Sequence, residues 1–466
     1  MLCSDVVDGR TRQPYFQQRE RSWPHSKILA RRSYQTSQDK ATEKHQMMWD
    51  EIRRMQKEDV TTRPLWQISI HTSSAQSSPA YLTLLTDHVV ADGIGTIRLV
   101  LALLSPDVTH LPYEKLSDDS RLENTIDVRP SYAHLLTAVW TELVLPRLPR
   151  FLEQYLKPPR PWPDENVALP PMKATPASSS MEIDVDIMNR LKIAGKAQHV
   201  PTLHPVLETA FLVAMSSVLQ WKGSTESSPF LLRTSSPGSV RDSALGHLYC
   251  TSNYFSSLDY DVSFSPTDSF WVEVSRASAY YKNPTARKDG VQVWGLLAYV
   301  PDPDPSRTKL NPGPTGWEDH FAAQSQRPNP YRDSFALSNL GCIDLPDGAD
   351  DLIWCQSSSA FNPPLTVNLV GHKGGLRMTF NWQEGSALSR DQVEDIQRTL
   401  KRILYRLVDP GKKVTKLDEL VALGHMIVDA PVLLHQSIRL HNASHLFFHH
   451  TPFQSKAIYN PLLDLA

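Results

Sequence analysis

The stretch that decides the fold is His88-Val89-Val90-Ala91-Asp92-Gly93. It follows an apolar run over residues 81–85 that has the length and branching of a buried strand. It precedes an apolar run over residues 94–104 that is long enough for a buried helix. Gly93 permits a tight turn between the two, because glycine reaches backbone angles that other residues avoid. The sequence therefore predicts a histidine held in a fixed direction at a strand–helix junction, where its ordinary pKa of about 6.5 suits a general base.

The spacing of this stretch matches a known signature. His88, Asp92 and Gly93 spell HxxxDG, so the chain resembles the CoA-dependent acyltransferases of the chloramphenicol acetyltransferase-like fold. That superfamily includes the BAHD enzymes, peptide-synthetase condensation domains and fungal alcohol O-acetyltransferases, and the chain resembles the last of these in particular. The alternative interpretation is a core histidine bonded to a backbone carbonyl, with Asp92 as a helix N-cap.

Other segments carry the same resemblance. Residues 63–70, Arg-Pro-Leu-Trp-Gln-Ile-Ser-Ile, are similar to the "PLW" strand that precedes the motif strand, and residues 47–55 look like the short helix before it. Residues 338–341, Ser-Asn-Leu-Gly, resemble an element of the second lobe and follow a strand-like run over 333–337. The resemblance extends from about residue 45 to about residue 408.

The resemblance implies an α/β (α+β) fold of two lobes, each a mixed sheet with helices, meeting at a channel. The expected parts are a poorly ordered N-terminal segment (1–40), an N-terminal lobe with the motif (41–156), a proline-rich crossover (157–179), a C-terminal lobe (180–408) and an atypical C-terminal tail (409–466). We expect the crossover to lie on the surface and to tolerate cutting, and the two terminal segments to pack poorly, because they lack apolar periodicity.

The resemblance also implies roles for single residues. His88 is the expected general base, pointing into a channel that CoA enters from one face and the alcohol from the other. Asp92 is expected to turn away from the channel and to orient the loop by pairing with an arginine. The preferred partner is Arg241, with Arg233 as the second choice, and the alternative for Arg241 is an exposed loop position.

The Ser-Asn-Leu-Gly element offers hydrogen-bond donors. Asn339 is expected to bring an amide, and Ser338 a hydroxyl, to the channel. The alternative is a turn after a strand, where asparagine and glycine are favoured for backbone reasons. Gly93 completes the catalytic motif as its turn residue.

Local patterns predict the remaining elements. A long helix is expected over 132–155, bent where Pro146 and Pro149 remove backbone donors. Ser389 and Gln392 predict a capping box that opens a helix to Val408. The other expected elements are a strand (180–185), helices (186–197 and 203–219), a polar loop (301–330) and a hairpin (365–372 with 376–383).

Composition excludes several function classes. The formal net charge of −2 gives no basic field for nucleic acid or an anionic membrane. No apolar run reaches the ~18 residues of a membrane span. The four cysteines show neither CxxC pairing nor zinc spacing, so we expect reduced thiols and a cytoplasmic location. We also expect a monomer. We expect no bound cofactor and no metal, although His441, His445 and His449 share a spacing of four.

Three functions remain open from the sequence. The leading one is an O-acyltransferase that transfers an acetyl or other short acyl group from acyl-CoA to an alcohol hydroxyl. The resemblance to the fungal enzymes implies a role in secondary metabolism. A condensation-type enzyme would take the acyl group from a carrier-protein thioester, but such domains carry a second histidine where this chain has Asp87. A catalytically silent paralogue is the third. Residues 1–40 show no equivalent of the family's first elements, and Trp23-Pro24-His25 reverses its "HP" pair. The tail from residue 409 onward also departs from the family pattern. The sequence contains no G-x-S-x-G elbow, which argues against a serine esterase.

Overall fold

The structure is a computed structural model. It describes residues 4–8, 14–18, 23–35, 39–58, 63–73, 79–88, 90–105, 122–157, 159–163, 167–219, 231–241, 253–263, 268–299, 323–324, 326–327, 329–411 and 416–425. None of the helices in these ranges combines the length and hydropathy that crossing a membrane requires. Most of the predicted loop over 301–330 lies outside them.

The first lobe is built on a three-stranded sheet whose strands lie in the order β3 (Leu29–Tyr34), β4 (Trp66–Ser73) and β5 (Tyr81–Thr86). In this sheet β3 runs parallel to β4, and β4 runs antiparallel to β5. A separate antiparallel hairpin, β1 with β2, precedes it. The elements are β1 (Ser4–Asp8), β2 (Pro14–Gln18), α1 (His25–Ile28), β3 (Leu29–Tyr34), α2 (Lys40–Lys57), β4 (Trp66–Ser73), β5 (Tyr81–Thr86) and α3 (Gly93–Leu104).

The prediction that residues 1–40 pack poorly is wrong for residues 23–35. Trp23 and Ile28 are buried, and Trp66 packs against them. The whole of β3 is paired with β4, and its Arg32 makes an ion pair with the buried Glu51 of α2 at 2.9 Å. Sequence periodicity missed this strand because main-chain hydrogen bonds and one ion pair hold it, rather than an apolar stripe.

The expected long helix over 132–155 is broken at its prolines. Helix α5 (Tyr132–Val139) continues into a π-helical turn (Trp140–Val144) and a 3₁₀ turn (Leu145–Arg147), and α6 (Arg150–Leu156) follows. A single turn, α4 (Leu122–Thr125), comes before them. Proline has no backbone donor, so the ladder cannot continue through Pro146 and Pro149.

The crossover differs from its prediction in two ways. It ends where strand β6 (Thr175–Ile183) begins, earlier than the expected residue 179. It is also tied to the second lobe rather than lying loose on the surface. The amide of Trp162 donates to the carbonyl of Leu231 at 2.8 Å, and Ser334 Oγ donates to the carbonyl of Trp162 at 2.6 Å. We therefore expect the backbone at Trp162 to resist cutting.

The second lobe is a six-stranded mixed sheet in the order β6-β11-β10-β9-β7-β8. Within it β9 runs parallel to both β7 and β10, and the other neighbours are antiparallel. Its elements are β6 (Thr175–Ile183), α7 (Val185–Ala197), α8 (His204–Val218), β7 (Leu231–Ser239), β8 (Phe255–Ser263), α9 (Phe270–Lys282), α10 (Pro284–Gly295), β9 (Phe335–Cys342), β10 (Leu365–His372), β11 (Gly375–Glu384), α11 (Arg390–Leu407) and α12 (Leu417–His425).

The main core lies between this sheet and α8. Residues 205–217 of α8 are all buried, which accounts for the unbroken apolar run seen in the sequence. Helix α11 packs alongside, opened by the predicted capping box of Ser389 and Gln392. Leu417 and Leu420 of α12 are also fully buried in this core, so the prediction that the chain packs poorly beyond about residue 410 is wrong for α12. Residues 426–466 lie outside the described ranges.

Candidate active site

The motif loop joins β5 to α3, as the sequence predicts. Asp87 directly follows the strand, and its amide donates to the carbonyl of Leu65 at 2.7 Å. The carbonyl of His88 accepts a hydrogen bond from Asn253 Nδ2 at 3.0 Å. The His88 imidazole lies edge-on to the ring of Phe255, with 6.0 Å between ring centroids. Asn253 and Phe255 belong to the second lobe, so the loop sits where the two lobes meet.

Burial controls the charge of His88. Loss of water around the imidazole lowers its pKa below the usual value of 6.5, and the Asp92 carboxylate opposes the shift only partly. The ring is therefore neutral near pH 7, which is the protonation state that a general base needs. Its Nδ1 is buried and has no hydrogen-bond partner within the described ranges.

Asp92 faces away from the imidazole and holds the loop to the second lobe. Its carboxylate accepts two hydrogen bonds from Arg241, at 2.7 Å and 2.9 Å. It also accepts the amide of Tyr254 at 2.9 Å and, as the N-cap of α3, the amide of Gly95 at 2.9 Å. Four donors on one buried carboxylate fix the loop, and none of them belongs to His88.

The structure distinguishes the two arginines named from the sequence. Arg241 pairs with Asp92, and both side chains are nearly inaccessible, at 5% and 7% exposure. The second choice, Arg233, instead pairs with Asp261 of β8, its Nη2 donating to Oδ2 at 2.8 Å. Arg233 therefore has a partner inside its own lobe.

Gly93 lies against the second lobe. A Cβ added to it would come within 2.6 Å of Leu340 Cδ2 and 3.5 Å of Trp354. A Cβ there would force Leu340 to move, so glycine allows the close docking of α3 on β9. The φ of Gly93 is not positive, so the prediction that the turn needs the conformational freedom of glycine is wrong. Leu340 belongs to the Ser-Asn-Leu-Gly element, which the structure thus brings to the motif.

The structure does not bring Asn339 to His88. The element lies inside β9 rather than in a turn after it, so neighbouring side chains point to opposite faces of the sheet. Asn339 Oδ1 accepts the amide of Gly341 at 2.9 Å, and its Nδ2 lies 3.4 Å from His204 Nδ1 at the start of α8. The expected amide donor therefore points into the second lobe, whereas Ser338 shares the face of Leu340.

Sequence reasoning missed three residues that support the loop. Asn253 and Phe255 come more than 160 positions after His88, and no motif announces them. Arg63 forms an ion pair with Asp87 at 3.0 Å, and the arginine side chain is only 8% exposed. The arginine directly before the Pro-Leu-Trp segment was the sequence signal that could have suggested this partner.

The described ranges hold no group of three or more His, Cys, Asp or Glu side chains that could bind a metal ion. His441, His445 and His449 lie outside those ranges. The free thiols within them are Cys342, which is exposed, and Cys355, whose burial raises the pKa of its thiol to about 11. Cys355 therefore remains a protonated thiol at neutral pH.

No protein-family model and no curated protein matches the sequence. Solved structures do match. The EpoB cyclization-docking bidomain of a nonribosomal peptide synthetase from Sorangium cellulosum is similar with a TM-score of 0.53 and 14% identity, over 88% of this chain and 74% of that chain. The first condensation domain of the CDA synthetase is similar with a TM-score of 0.52 and 16% identity, over 90% and 86%.

The epimerization domain from the third module of tyrocidine synthetase B is also similar, with a TM-score of 0.50 and 11% identity, over 87% of this chain and 84% of that chain. At these identities the similarity shows the fold alone. The chain has the two-lobed, chloramphenicol acetyltransferase-like fold of these domains, and the prediction of that fold is confirmed. The closer resemblance to fungal alcohol O-acetyltransferases stays a prediction.

Proposed function

We propose that the protein is an O-acyltransferase that moves an acetyl or other short acyl group from a thioester to a hydroxyl, with His88 as general base. The observation that carries the proposal is the motif loop, which holds a neutral imidazole at the meeting of the lobes. Arg241 and Asp92 fix that loop without touching the ring. A general base needs a fixed direction and a free lone pair. The loop fixes the direction of the His88 imidazole, and the Asp92 carboxylate does not occupy its lone pair.

The reaction follows from these parts. The His88 imidazole takes the proton of the acceptor hydroxyl as its oxygen attacks the thioester carbonyl. The tetrahedral intermediate then expels the thiolate, which takes the proton back from the imidazolium. No acyl-enzyme forms. Ser338 is the proposed donor to the oxyanion, because it shares the face of β9 on which Leu340 meets Gly93.

We propose acyl-CoA as the donor, with acetyl-CoA as the first to test. The fold similarity to peptide-synthetase domains favours a second candidate, a thioester on a carrier protein. The residue before His88 bears on the choice. It is Asp87, held by Arg63, where the resemblance to condensation-type domains implies a histidine. This departure favours the CoA donor.

A thiol-release assay tests the proposal. Acetyl-CoA is offered with a panel of small and polycyclic alcohols to the wild type, to His88→Ala and to the matched control His25→Ala, whose histidine is exposed on α1. Release that needs both an alcohol and His88, and survives in the control, supports the proposal. Release from an acylated phosphopantetheine carrier protein but not from acetyl-CoA supports the second candidate. A folded wild type that releases thiol from neither donor would show a silent member of the fold.

A further inference from the structure

The two faces of the six-stranded sheet differ in chemistry. On the face toward α8, strand β10 presents Leu365, Val367 and Leu369, all fully buried in the core. The opposite face carries small polar side chains in register across neighbouring strands, and the main chain of residues 354–356 covers part of it. One row is Ser180, Thr379, Asn368 and Ser338, and the next is Ser178, Asn381 and Thr366. We call these two rows the polar face.

The polar face begins beside the motif. The next residues on the same side of β9 and β10 are Leu340 and Val370, which pack against Ile97 of α3. Leu340 is also the residue that Gly93 approaches. Two residues along a strand span about 7 Å, so Asn368 lies about that far along β10 from Val370. The polar rows therefore start where the contact with the motif helix ends.

Hydrogen bonds fix which end of the Asn368 amide is free. Thr379 Oγ1 donates its only proton to the carbonyl of Trp354 at 2.9 Å. It must then accept from Asn368 Nδ2, which lies 3.1 Å away. The remaining atom, Asn368 Oδ1, is therefore an acceptor, and it is buried with no partner within the described ranges.

Thr366 lies two residues earlier on the same face of β10. It is 3% exposed, and its Oγ1 is likewise buried without a partner in the described part of the chain. A buried polar atom without a hydrogen bond weakens folding, so two of them on one face need an explanation. A bound group that donates hydrogen bonds would supply one.

We propose that Asn368 Oδ1 and Thr366 Oγ1 form a subsite on the polar face that binds N–H or O–H groups of the substrate. This inference rests on the proposed function. Two sources have the required chemistry: an amide of the arm that carries the thioester, and a second hydroxyl on the acceptor. A wholly apolar acceptor joined to an amide-free thioester would leave both oxygens unpaired, so the subsite selects for polar substrates.

Binding to His88→Ala protein tests the subsite without turnover. The probes are two matched pairs: S-acetyl-N-acetylcysteamine against S-pentyl thioacetate, and hexane-1,6-diol against hexan-1-ol. Titration by NMR gives a Kd for each probe in the parent, in Thr366→Val and in Thr366→Ser. The control is Thr399→Val, because Thr399 of α11 is also fully buried and its hydroxyl has no partner among the described residues, but it lies outside the polar face.

We expect the His88→Ala parent to bind the polar member of at least one pair more tightly than the apolar member. Preference in the thioester pair identifies the amide of the thioester arm as the bound group, and preference in the alcohol pair identifies the second hydroxyl of the acceptor. Thr366→Val should weaken that probe about three- to tenfold, as the loss of one hydrogen bond predicts. Thr366→Ser should restore it, and Thr399→Val should leave it unchanged. Equal binding of both members of each pair, or equal Kd values in Thr366→Val and Thr399→Val, would overturn the subsite and leave a buried water as the partner. Because binding is read without catalysis, failure of the thiol-release assay does not alter this result.

Discussion

The buried pair of Asp92 and Arg241 allows a prediction with a magnitude. In Asp92→Asn the side chain loses its charge and one of its two acceptor oxygens, while Arg241 stays buried and charged. The carboxylate now accepts four hydrogen bonds, and the amide cannot accept them all. Breaking a buried pair by removing one partner typically costs about 3–5 kcal/mol of folding free energy. We expect a loss in that range.

The chain contains a matched control for this substitution. Arg129 and Asp127 form the same kind of two-point pair, but their side chains are 86% and 64% exposed. Water and salt screen exposed pairs, so Asp127→Asn should leave stability nearly unchanged. Urea unfolding of the wild type and both variants, with thiol release measured on the same samples, gives the comparison.

The relation between stability and activity decides the role of Asp92. If it acts by orienting the loop, Asp92→Asn loses stability and activity together. Arg241→Met should then lose activity although Arg241 does not touch His88, and the double variant should cost less than the sum of the two single changes. An Asp92→Asn protein that unfolds like the wild type yet is inactive would refute this reasoning, since Asp92 would then act in the chemistry.

Three more outcomes are expected. Because burial lowers the pKa of His88, the acidic limb of the pH profile of kcat/KM should lie below pH 6.5, and a limb at or above 6.5 would contradict the burial. Burial raises the pKa of Glu208 to about 7 from 4.5, so the folded state holds this proton more tightly than the unfolded state. The protonated carboxyl therefore contributes about 3 kcal/mol to the free energy of unfolding below about pH 4.5, and this contribution is lost as the pH rises to about 7. Urea unfolding of the wild type should show the free energy of unfolding falling over this pH range. The fall should be smaller in Glu208→Gln. Gly93→Ala should lower the free energy of unfolding by roughly 1–3 kcal/mol, because its Cβ would overlap Leu340. Leu340→Ala should then cost less stability in the Gly93→Ala protein than in the wild type. Additive losses in the double variant would argue against the contact.

The sequence predicted the motif loop because its signals are local. An apolar strand, a glycine turn and an apolar helix follow one another within about 25 residues, and each has its own pattern. The capping box of Ser389 and Gln392 was equally local, and the structure contains both of its hydrogen bonds. Arg241 required the resemblance, since 149 residues separate it from Asp92.

What the sequence missed depended on strand register and on non-local contacts. The resemblance placed Ser338 to Gly341 at the channel without fixing which of their side chains face it, and a shift of one residue along a strand moves a side chain to the other face. Asn339 was therefore expected at the active site, whereas it contacts His204 on the far side of the sheet. Strand β3 was missed for a different reason, because its pairing is carried by backbone hydrogen bonds and Arg32 rather than by apolar residues.

The supports of the motif loop lead to one further conclusion about His88. On the first-lobe side, Arg63 holds Asp87 and the carbonyl of Leu65 holds its amide. On the second-lobe side, Asn253 holds the carbonyl of His88, and Arg241 holds Asp92. The imidazole thus lies between two anchors that belong to different lobes. Its position is fixed only while the lobes stay docked, and a substitution at the lobe contact should therefore change catalysis without touching the base.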